Sequence, residues 1–353
     1  MATLNLNNEK IDKLYIGGQL ICGGNDGYAT GDIVPASDIK EVYKLSDLKN
    51  ESWSFQSDTR SIKAVTADKD GNMYVAGEKE ARVIKLDKSG QKVWEINTFR
   101  AFSLSSIEVD KDGNVFCGVD YLLKKISKDG NTIKDLGQFS NPVVDITIDD
   151  TGYIYVVVNT SLIKLDKDGK EIWKYNAPSA IRDAYLSDDG NIYIAFPGEI
   201  KAINTAYGQH VKSYFGSMDV EIWSVATDAD YIYFCDDDNS ISKVNKNEYI
   251  SWRKTYSARP YKIGVDERGH VFVGTHDALL EYSPDGEELR KYLPGSRITD
   301  FKLDNDGNIY TKKQHKFACK LSSTRELVGY EILKDKGGIH CMKEYNIHHL
   351  CVA

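Results

Sequence analysis

Residues 106–119 read SIEVDKDGNVFCGV, and variants of this stretch recur along the chain. Each copy is an alternating, strand-like segment, a turn of the type Asp-x-Asp-Gly-Asn, and a second apolar segment. Successive turns are separated by 38 to 42 residues. Their central positions are Gly71, Gly113, Gly152, Gly190, Asp230, Gly269 and Gly307. A period near 39 that occurs seven times predicts a repeat architecture.

Each repeat contains four short strands. In the first copy, apolar and polar residues alternate over 64–67, 73–75, 83–85 and 93–96, with turn residues between these segments. A four-stranded unit of this length is typical of a β-propeller blade, because radial closure of the blades protects the sheet edges. A linear solenoid is the alternative, but it requires polar caps at its ends and the chain shows none.

We therefore expect an all-β fold with a single propeller of about eight four-stranded blades, or alternatively seven. Pairing of amino- and carboxyl-terminal strands closes the ring in this prediction. Residues 338–353 would supply an inner pair of strands and residues 41–56 an outer pair. Residues 14–25 could replace the inner pair, which leaves the blade number open. The predicted domains are an amino-terminal docking segment and linker at 1–38 and the propeller at 39–353.

The composition agrees with many short strands, since the chain has 22 Tyr and 28 Gly but only 7 Pro. A net charge of −8 argues against unspecific nucleic-acid binding and against binding to acidic membranes. The sequence predicts no transmembrane segment and no signal peptide, because it has no apolar stretch of about 18 residues and no basic-then-apolar start. Six isolated cysteines are expected to be free thiols, mostly in buried strands.

Residues 83–96, VIKLDKSGQKVWEI, and 162–175, LIKLDKDGKEIWKY, resemble the repeat of quinoprotein-like (PQQ-like) propellers. That resemblance implies a glycine turn followed by a strand with a docking tryptophan, and it does not imply a quinone. Lys134, Lys212 and Arg290 alternate with the tryptophans at the same position. We expect these side chains to pack on the neighbouring blade, with a cation stacked on an indole as the alternative. The predicted blade-packing tryptophans are Trp53, Trp94, Trp173 and Trp252.

The sequence predicts no enzyme, no metal and no cofactor. An EF-hand alignment of the first Asp-rich turn puts Gly77 where a bidentate Glu is required. The aspartates are therefore expected to cap their own turns. Neither a Gly-x-Ser-x-Gly elbow nor a His-Glu-x-x-His motif occurs. The export signal, calcium site and adjacent cysteines that the resemblance would imply for a quinoprotein dehydrogenase are also missing.

Arginines and aromatic residues concentrate where one blade's last strand leads to the next blade's first strand. These connections share one face of a propeller, so we expect a rim around the axis. Such a rim suits a cell-surface glycan with anionic substituents or a protein partner, and the alternative is ordinary strand-end packing. The candidate rim residues are Arg60, Phe99, Arg100, Phe102, Arg182, Tyr214, Tyr256, Arg259, Tyr261 and Arg297.

Residues 9–21, EKIDKLYIGGQLI, resemble a short element of structural proteins from bacteriophages of Gram-positive hosts, through Lys13, Tyr15, Gly17 and Ile21. The resemblance implies docking to other virion proteins. We therefore expect a non-enzymatic binding or structural propeller located on the virion, in a tail, fibre or head appendage. The alternatives are a cytoplasmic bacterial interaction scaffold and an enzyme that uses the axial funnel.

Overall fold

The computed structural model describes residues 51–58, 61–77, 82–97, 104–215, 220–293, 295–304, 307–313 and 317–321, together with the backbone of strands at 4–6, 9–11, 15–16, 19–20, 39–44 and 326–332. Every regular element in these ranges is a β-strand, which confirms the all-β prediction. The strands before the propeller are β1 (Leu4–Leu6), β2 (Glu9–Ile11), β3 (Tyr15–Ile16), β4 (Gln19–Leu20) and β5 (Ile39–Lys44).

The propeller contains strands β6 to β33, and a last strand follows them. They are β6 (Glu51–Gln56), β7 (Ile62–Ala67), β8 (Met73–Gly77), β9 (Arg82–Leu86), β10 (Lys92–Asn97), β11 (Leu104–Val109), β12 (Val115–Val119), β13 (Leu122–Ile126), β14 (Ile133–Gln138), β15 (Val143–Ile148), β16 (Ile154–Val158), β17 (Ser161–Leu165), β18 (Glu171–Asn176), β19 (Asp183–Leu186), β20 (Asn191–Phe196), β21 (Glu199–Asn204), β22 (His210–Tyr214), β23 (Ile222–Thr227), β24 (Tyr231–Asp236), β25 (Ser240–Asn245), β26 (Ile250–Thr255), β27 (Pro260–Val265), β28 (Val271–Thr275), β29 (Leu279–Tyr282), β30 (Glu288–Tyr292), β31 (Phe301–Leu303), β32 (Ile309–Lys313), β33 (Phe317–Leu321) and β34 (Glu326–Ile332).

These strands form seven antiparallel four-stranded blades. Blades 1 to 6 each use four consecutive strands, beginning with β7–β10 and ending with β27–β30. Blade 7 takes three strands from the end of the repeat region, β31 to β33, and its outer strand is β6, with Lys320 opposite Trp53. The terminal pairing therefore completes the seventh repeat and adds no eighth blade. Seven, the alternative that the sequence left open, is the observed number.

The chain divides into two compact units. The propeller is the unit from Asn50 to Ser323, and the other unit joins residues 1–49 with 324–353. In that other unit β5 pairs with β34, β1 with β2, and β3 with β4, all antiparallel. Residues 338–353, which the sequence analysis assigned to the ring closure, lie outside the described residues.

The core is divided among the interfaces between adjacent blades. The second strand of blades 1, 2, 3 and 6 is buried at every position, because it packs against both neighbouring sheets. Seven apolar clusters occupy the seven interfaces of the described ring. One of them joins Met73 and Val75 of blade 1 to Tyr310 and Ala318 of blade 7. This cluster closes the ring by apolar packing as well as by strand pairing.

The Asp-rich turns are held by their own side chains. In blade 1 the Asp68 carboxylate accepts hydrogen bonds from the backbone N–H of Asp70 and Asn72, at 3.0 and 2.9 Å. Gly71 takes the left-handed conformation that this turn requires, with φ at +80°. The buried Tyr74 hydroxyl donates to the same carboxylate at 2.8 Å, so the turn is tied to the core. The equivalent tyrosine–aspartate bonds are made by Tyr155, Tyr193, Tyr233 and Tyr310.

Four tryptophans on outer strands lie against the next blade. The Trp173 indole N–H donates to the carbonyl oxygen of Thr205 at 3.1 Å. A Cβ atom added to Gly208 would come within 2.6 Å of the Trp173 ring, so the close approach requires glycine there. Trp53 makes the same contacts with Lys88 and Gly90, and it thereby fastens blade 7 to blade 1. Trp94 and Trp252 repeat the arrangement at Lys128 and Pro284.

The cations at the alternate outer positions follow different patterns. Lys212 replaces an indole directly, since its ammonium donates to the Lys246 carbonyl oxygen at 2.8 Å. In blade 2, Lys134 does not take the place of an indole. The Leu136 backbone lies against the glycine turn of the next blade at Gly169 instead. Arg290 is buried and bonds within its own blade, to the Tyr292 hydroxyl at 3.5 Å.

Cys117 and Cys235 are free thiols, and both are buried, as is Cys319. Burial raises the pKa of Cys117 to about 12, so this thiol stays protonated at neutral pH. No helix in the described part of the chain is long and apolar enough to cross a membrane.

Candidate functional site

The inner strands of all seven blades surround a cavity of about 520 Å³ on the ring axis. When the inner strands are aligned on the turns that follow them, equivalent residues of different blades fall into three tiers along this cavity. The second residues form a first tier, which we call the mouth: Lys63, Ser105, Val144, Arg182, Trp223, Tyr261 and Thr299. The third residues form the middle tier. Ser224 of blade 5 is fully buried, and the other members line the cavity: Ala64, Ser106, Asp145, Asp183, Lys262 and Asp300. Glu108, Tyr185 and Lys302 belong to the lower tier, formed by the fifth residues.

A β-bulge shapes the mouth. In five blades the pairing register between the first two strands shifts between the first and third residues of the inner strand. The second residue is thereby left out of the ladder, which is how bulges re-aim side chains. The residues concerned are Lys63, Ser105, Val144, Trp223 and Tyr261.

Guanidinium groups and aromatic rings alternate along one side of the mouth. The Arg182 and Arg259 guanidinium carbons lie 5.4 and 4.1 Å from the centroid of Trp223. Arg259 and Arg297 in turn lie 5.5 and 4.6 Å from the centroid of Tyr261. We call these five residues the mouth cluster. Each aromatic ring is flanked by two arginines, so the rings act mainly as supports that orient the cations.

Only part of this positive charge is neutralised by neighbouring acids. Arg182 forms an ion pair with Glu221 at 3.2 Å. Arg259 and Arg297 are exposed, and neither has a carboxylate partner among the described residues. The Trp223 indole N–H is buried and has no hydrogen-bond partner there either. The mouth cluster therefore offers charged N–H donors that are oriented in advance, which is an arrangement suited to anions.

The middle tier carries opposite charge. Asp183, only 5% exposed, accepts hydrogen bonds from the Ser224 hydroxyl at 2.5 Å, the Val225 N–H at 3.0 Å and the Lys262 ammonium at 2.7 Å. Burial alone lowers the pKa of Lys262, but Asp183, Asp145 and Asp300 together outweigh burial and place this pKa above its usual value. One ammonium group thus balances three carboxylates across three other blades.

Two of these carboxylates keep an oxygen without a protein donor among the described residues. Asp145 uses Oδ1 to accept from the Ser106 hydroxyl at 3.1 Å and from the Ile146 N–H at 2.9 Å. Asp300 uses Oδ2 to accept from the Val65 N–H at 2.9 Å. Burial raises the pKa of Asp145 to about 6, with Lys262 limiting the rise. Burial also raises the pKa of Asp300.

Middle-tier side chains also connect successive blades. In four blades, the backbone N–H of the fourth inner-strand residue donates a hydrogen bond to the middle-tier side chain of the preceding blade. The donors are Ile146, Val225, Ile263 and Val65. The inner strand is the axial edge of its sheet, so such N–H groups lack a ladder partner on that side. Among the described residues, Ala64, Asp145 and Lys262 accept no such bond from the next blade. The Ala64 methyl group and the Lys262 ammonium are unable to accept a hydrogen bond.

In the lower tier, one ion-paired bridge joins three consecutive blades of the ring, blades 7, 1 and 2. The Lys302 ammonium of blade 7 donates to Glu108 of blade 2 at 2.9 Å. The Thr66 hydroxyl of blade 1 donates to the other oxygen of Glu108 at 2.8 Å. The Glu108 carboxylate holds the pKa of Lys302 above its usual value.

Four predicted rim residues come together at the mouth: Arg182, Arg259, Tyr261 and Arg297. The structure places two others between blades and not at the mouth. Tyr214 is buried against Tyr193 in the interface of blades 4 and 5, and Tyr256 packs in the interface of blades 5 and 6. Their aromatic rings supply core packing, which draws them away from the axis. Arg60, Phe99, Arg100 and Phe102 lie outside the described residues.

Trp223 is the one member of the mouth cluster that the sequence did not predict, and the mouth residues Lys63, Ser105, Val144 and Thr299 were not predicted either. An alignment of the repeats could have identified Trp223, because it occupies the same inner-strand position as Arg182 and Tyr261. In the predicted docking segment, Tyr15 lies in β3, which pairs with β4. Lys13, Gly17 and Ile21 lie outside the described residues.

The described residues contain no group of three His, Cys, Asp or Glu side chains positioned to hold a metal ion. No protein-family model matches the chain, and no curated protein is similar to it in sequence. Among solved structures, the WD40 β-propeller domain of Doa1 is similar, with a TM-score of 0.67 and 14% sequence identity. The alignment covers 78% of this chain and 97% of that domain. At this identity the likeness establishes the β-propeller fold alone.

Proposed function

We propose that this chain is a non-enzymatic binding module that recognises an anionic partner at the mouth of its propeller. The observation that carries the proposal is the alternation of guanidinium groups and aromatic rings in the mouth cluster. Arg259 and Arg297 have no acidic partner among the described residues, although the chain as a whole has a net charge of −8. Oriented arginines with free donor groups at the entrance of a cavity favour ligand recognition.

The ring supports this role as a rigid frame. Seven apolar interfaces and a shared seventh blade fix the positions of the four strands that carry the mouth cluster. The acid and base groups of the middle tier bond one another, as Asp183, Ser224 and Lys262 do. We assign Asp183, Ser224 and Lys262 a structural role, and we assign no middle-tier group a part in a chemical reaction.

For the biological setting, we propose a bacteriophage virion, in which the amino-terminal segment docks to other virion proteins and the propeller faces the host surface. This part rests on the resemblance of residues 9–21 to phage structural proteins. A cytoplasmic interaction scaffold is the competing setting.

Particle composition tests the setting. Particles purified from the source culture are analysed by quantitative mass spectrometry, and we expect the chain at a fixed ratio to capsid and tail proteins. A chain lacking residues 1–30 should fold but fail to enter particles. Absence of the full chain from particles, or normal incorporation of the shortened chain, would overturn the virion proposal.

A further inference from the structure

We propose that the ligand of the channel mouth is an acidic monosaccharide unit at the end of a glycan. Its carboxylate would bind at Arg259 and Arg297, and its hydroxyl groups would enter the cavity toward Asp145 and Asp300. This inference rests on the proposed binding function and gives it a ligand class.

The mouth selects a charged ligand. Trp223 and Tyr261 are the aromatic rings of the mouth tier, and arginines already lie over both of them. Stacking against a neutral sugar would first have to displace these cations. The edges of the Arg259 and Arg297 guanidinium groups are available instead, and a carboxylate can accept two parallel hydrogen bonds from such an edge.

The cavity limits how much negative charge the ligand can carry. Asp145, Asp183 and Asp300 lie in the tier immediately below the mouth, with Lys262 as the cation bonded within that tier. A dianionic phosphate above this tier would be repelled more strongly than a single carboxylate. The charge pattern therefore favours a ligand with one negative charge, held at the outer end.

The inner part of the ligand must bring hydrogen-bond donors. Asp145 and Asp300 each have a carboxylate oxygen without a donor among the described residues, and both residues line the cavity. Sugar hydroxyls are donors of this kind, and they add no charge. A cavity of about 520 Å³ also exceeds what a simple carboxylate needs and lies within the range of small-molecule sites.

The length of the site distinguishes a sugar acid from an α-amino acid. Arg259 and Lys262, which mark the mouth and the middle tier of blade 6, are three residues apart on one strand path. At the rise of a β-strand this corresponds to roughly 7–10 Å. The carboxylate and α-ammonium of an α-amino acid share one carbon, so these two groups cannot reach both tiers. A pyranose ring instead separates an exocyclic carboxylate from the ring hydroxyl groups on its far side.

Isothermal titration of the full chain tests the inference directly. The probes are glucuronate, galacturonate and N-acetylneuraminate, each compared with a neutral sugar of the same ring, and also acetate, inorganic phosphate and lysine. We expect at least one acidic sugar to bind with a Kd of about 0.1–1 mM and its neutral counterpart to bind at least about 10-fold more weakly. Acetate, phosphate and lysine should each bind more weakly than that sugar.

Variants locate the binding. Combined Arg259→Gln and Arg297→Gln should weaken the acidic sugar about 10- to 100-fold and abolish its advantage over the neutral one. Asp145→Asn should weaken both sugars. Arg268→Gln is the matched control, because Arg268 is on the turn after the same inner strand and bonds Asp266. It should leave affinity unchanged, and circular dichroism should show all variants folded.

Several results would overturn the inference. They are equal binding of acidic and neutral sugars, tighter binding of phosphate or lysine, the absence of any binding up to about 10 mM, or wild-type affinity in the double arginine variant. These results are separate from the test of the proposed function. The mouth variants could abolish binding of particles to host cells although the chain binds none of the sugars. That combination would leave the proposed binding role intact and would exclude an acidic sugar as the ligand.

Discussion

At the perimeter of the propeller, four of the seven outer strands repeat one tryptophan contact, whereas the middle-tier position on the axis holds four different residue types. On the outer strands, Trp53 and Trp173 make the same pair of contacts with the next blade's glycine turn. On the inner strands, the middle-tier position is Ala, Ser, Asp or Lys in different blades. An outer-strand tryptophan meets only a copy of the same turn, while an axial side chain faces side chains of different charge from other blades. Departure from the repeat therefore marks the surface where binding specificity can reside.

The largest expected effect contrasts a cation at the axis with one at the perimeter. Lys262→Met should lower the free energy of unfolding by about 3–5 kcal/mol, because Asp183 stays buried with Asp145 and Asp300 and has lost its cation. Lys212→Met should cost less than about 1 kcal/mol, since the Lys212 ammonium and its partner Glu248 are both substantially exposed. Urea unfolding followed by circular dichroism measures both. Equal losses would contradict the contrast.

A pair of glycine substitutions tests the perimeter. Gly208 and Gly152 both have positive φ, +68° and +90°, but only a Cβ at Gly208 would collide with Trp173. Gly152→Ala should cost about 1 kcal/mol from backbone strain, and Gly208→Ala about 2–4 kcal/mol because the indole must also move. Thermal unfolding gives the difference, and tryptophan fluorescence should shift in Gly208→Ala alone. An identical cost at the two sites would show that the tryptophan contact is dispensable.

The pH dependence of the free energy of unfolding tests whether Asp145 on the axis has a raised pKa. The pKa of Asp145 is raised from 3.8 to about 6, so the folded state holds a proton there that the unfolded state has already released. As pH rises from about 4 to 6, the native protein should lose stability relative to Asp145→Asn. Above that range the variant should be more stable by about 1–3 kcal/mol.

Urea unfolding at pH 4 and pH 7.5 measures this linkage. Lys262 and Asp183 face the same part of the cavity, so their charges contribute to the shift. The difference between native protein and variant should be small at pH 4 and larger at pH 7.5. A difference that does not change with pH would mean that Asp145 titrates normally.

The smallest expected effect comes from adding a hydrogen-bond acceptor beside the axis at Ala64. Ala64→Ser should supply an acceptor for the Ile107 N–H, as Ser106 does for Ile146 at 3.1 Å. The expected gain is about 0.5–1.5 kcal/mol, measured as a higher Tm. Ser106→Ala is the reciprocal variant and should lose a similar amount. A destabilising Ala64→Ser would mean that Ala64 serves packing.

Much of the fold could be predicted because each repeat encodes its own strands and turns in nearby residues. The Asp turns, the left-handed Gly71 and the alternation of apolar residues each depend on neighbours within a few positions of the chain. The number of blades could not be settled this way. It depends on whether the outer strand β6 completes the seventh repeat or begins another, and that pairing joins residues more than 250 positions apart.

The site was predictable only in part. Arg182, Arg259, Tyr261 and Arg297 were identified because strand-to-strand connections share one face of a propeller. The same rule also included Tyr214, whose ring the structure places between two blades. It also omitted Trp223, which lies one residue inside its strand and reaches the mouth at a β-bulge.

The sequence by itself determined that this protein is an all-β ring of four-stranded blades, since periodicity, turn chemistry and apolar alternation act over short distances. The tertiary structure alone decided which charges meet on the axis. Asp183, Lys262 and Asp300 belong to three different blades, and no local pattern relates them. Ring closure brings them into one cavity, where the surrounding carboxylates hold the pKa of Lys262 above its usual value and burial raises the pKa of Asp300. The mouth cluster arises in the same way, from four blades whose bulges and connections converge on one axis.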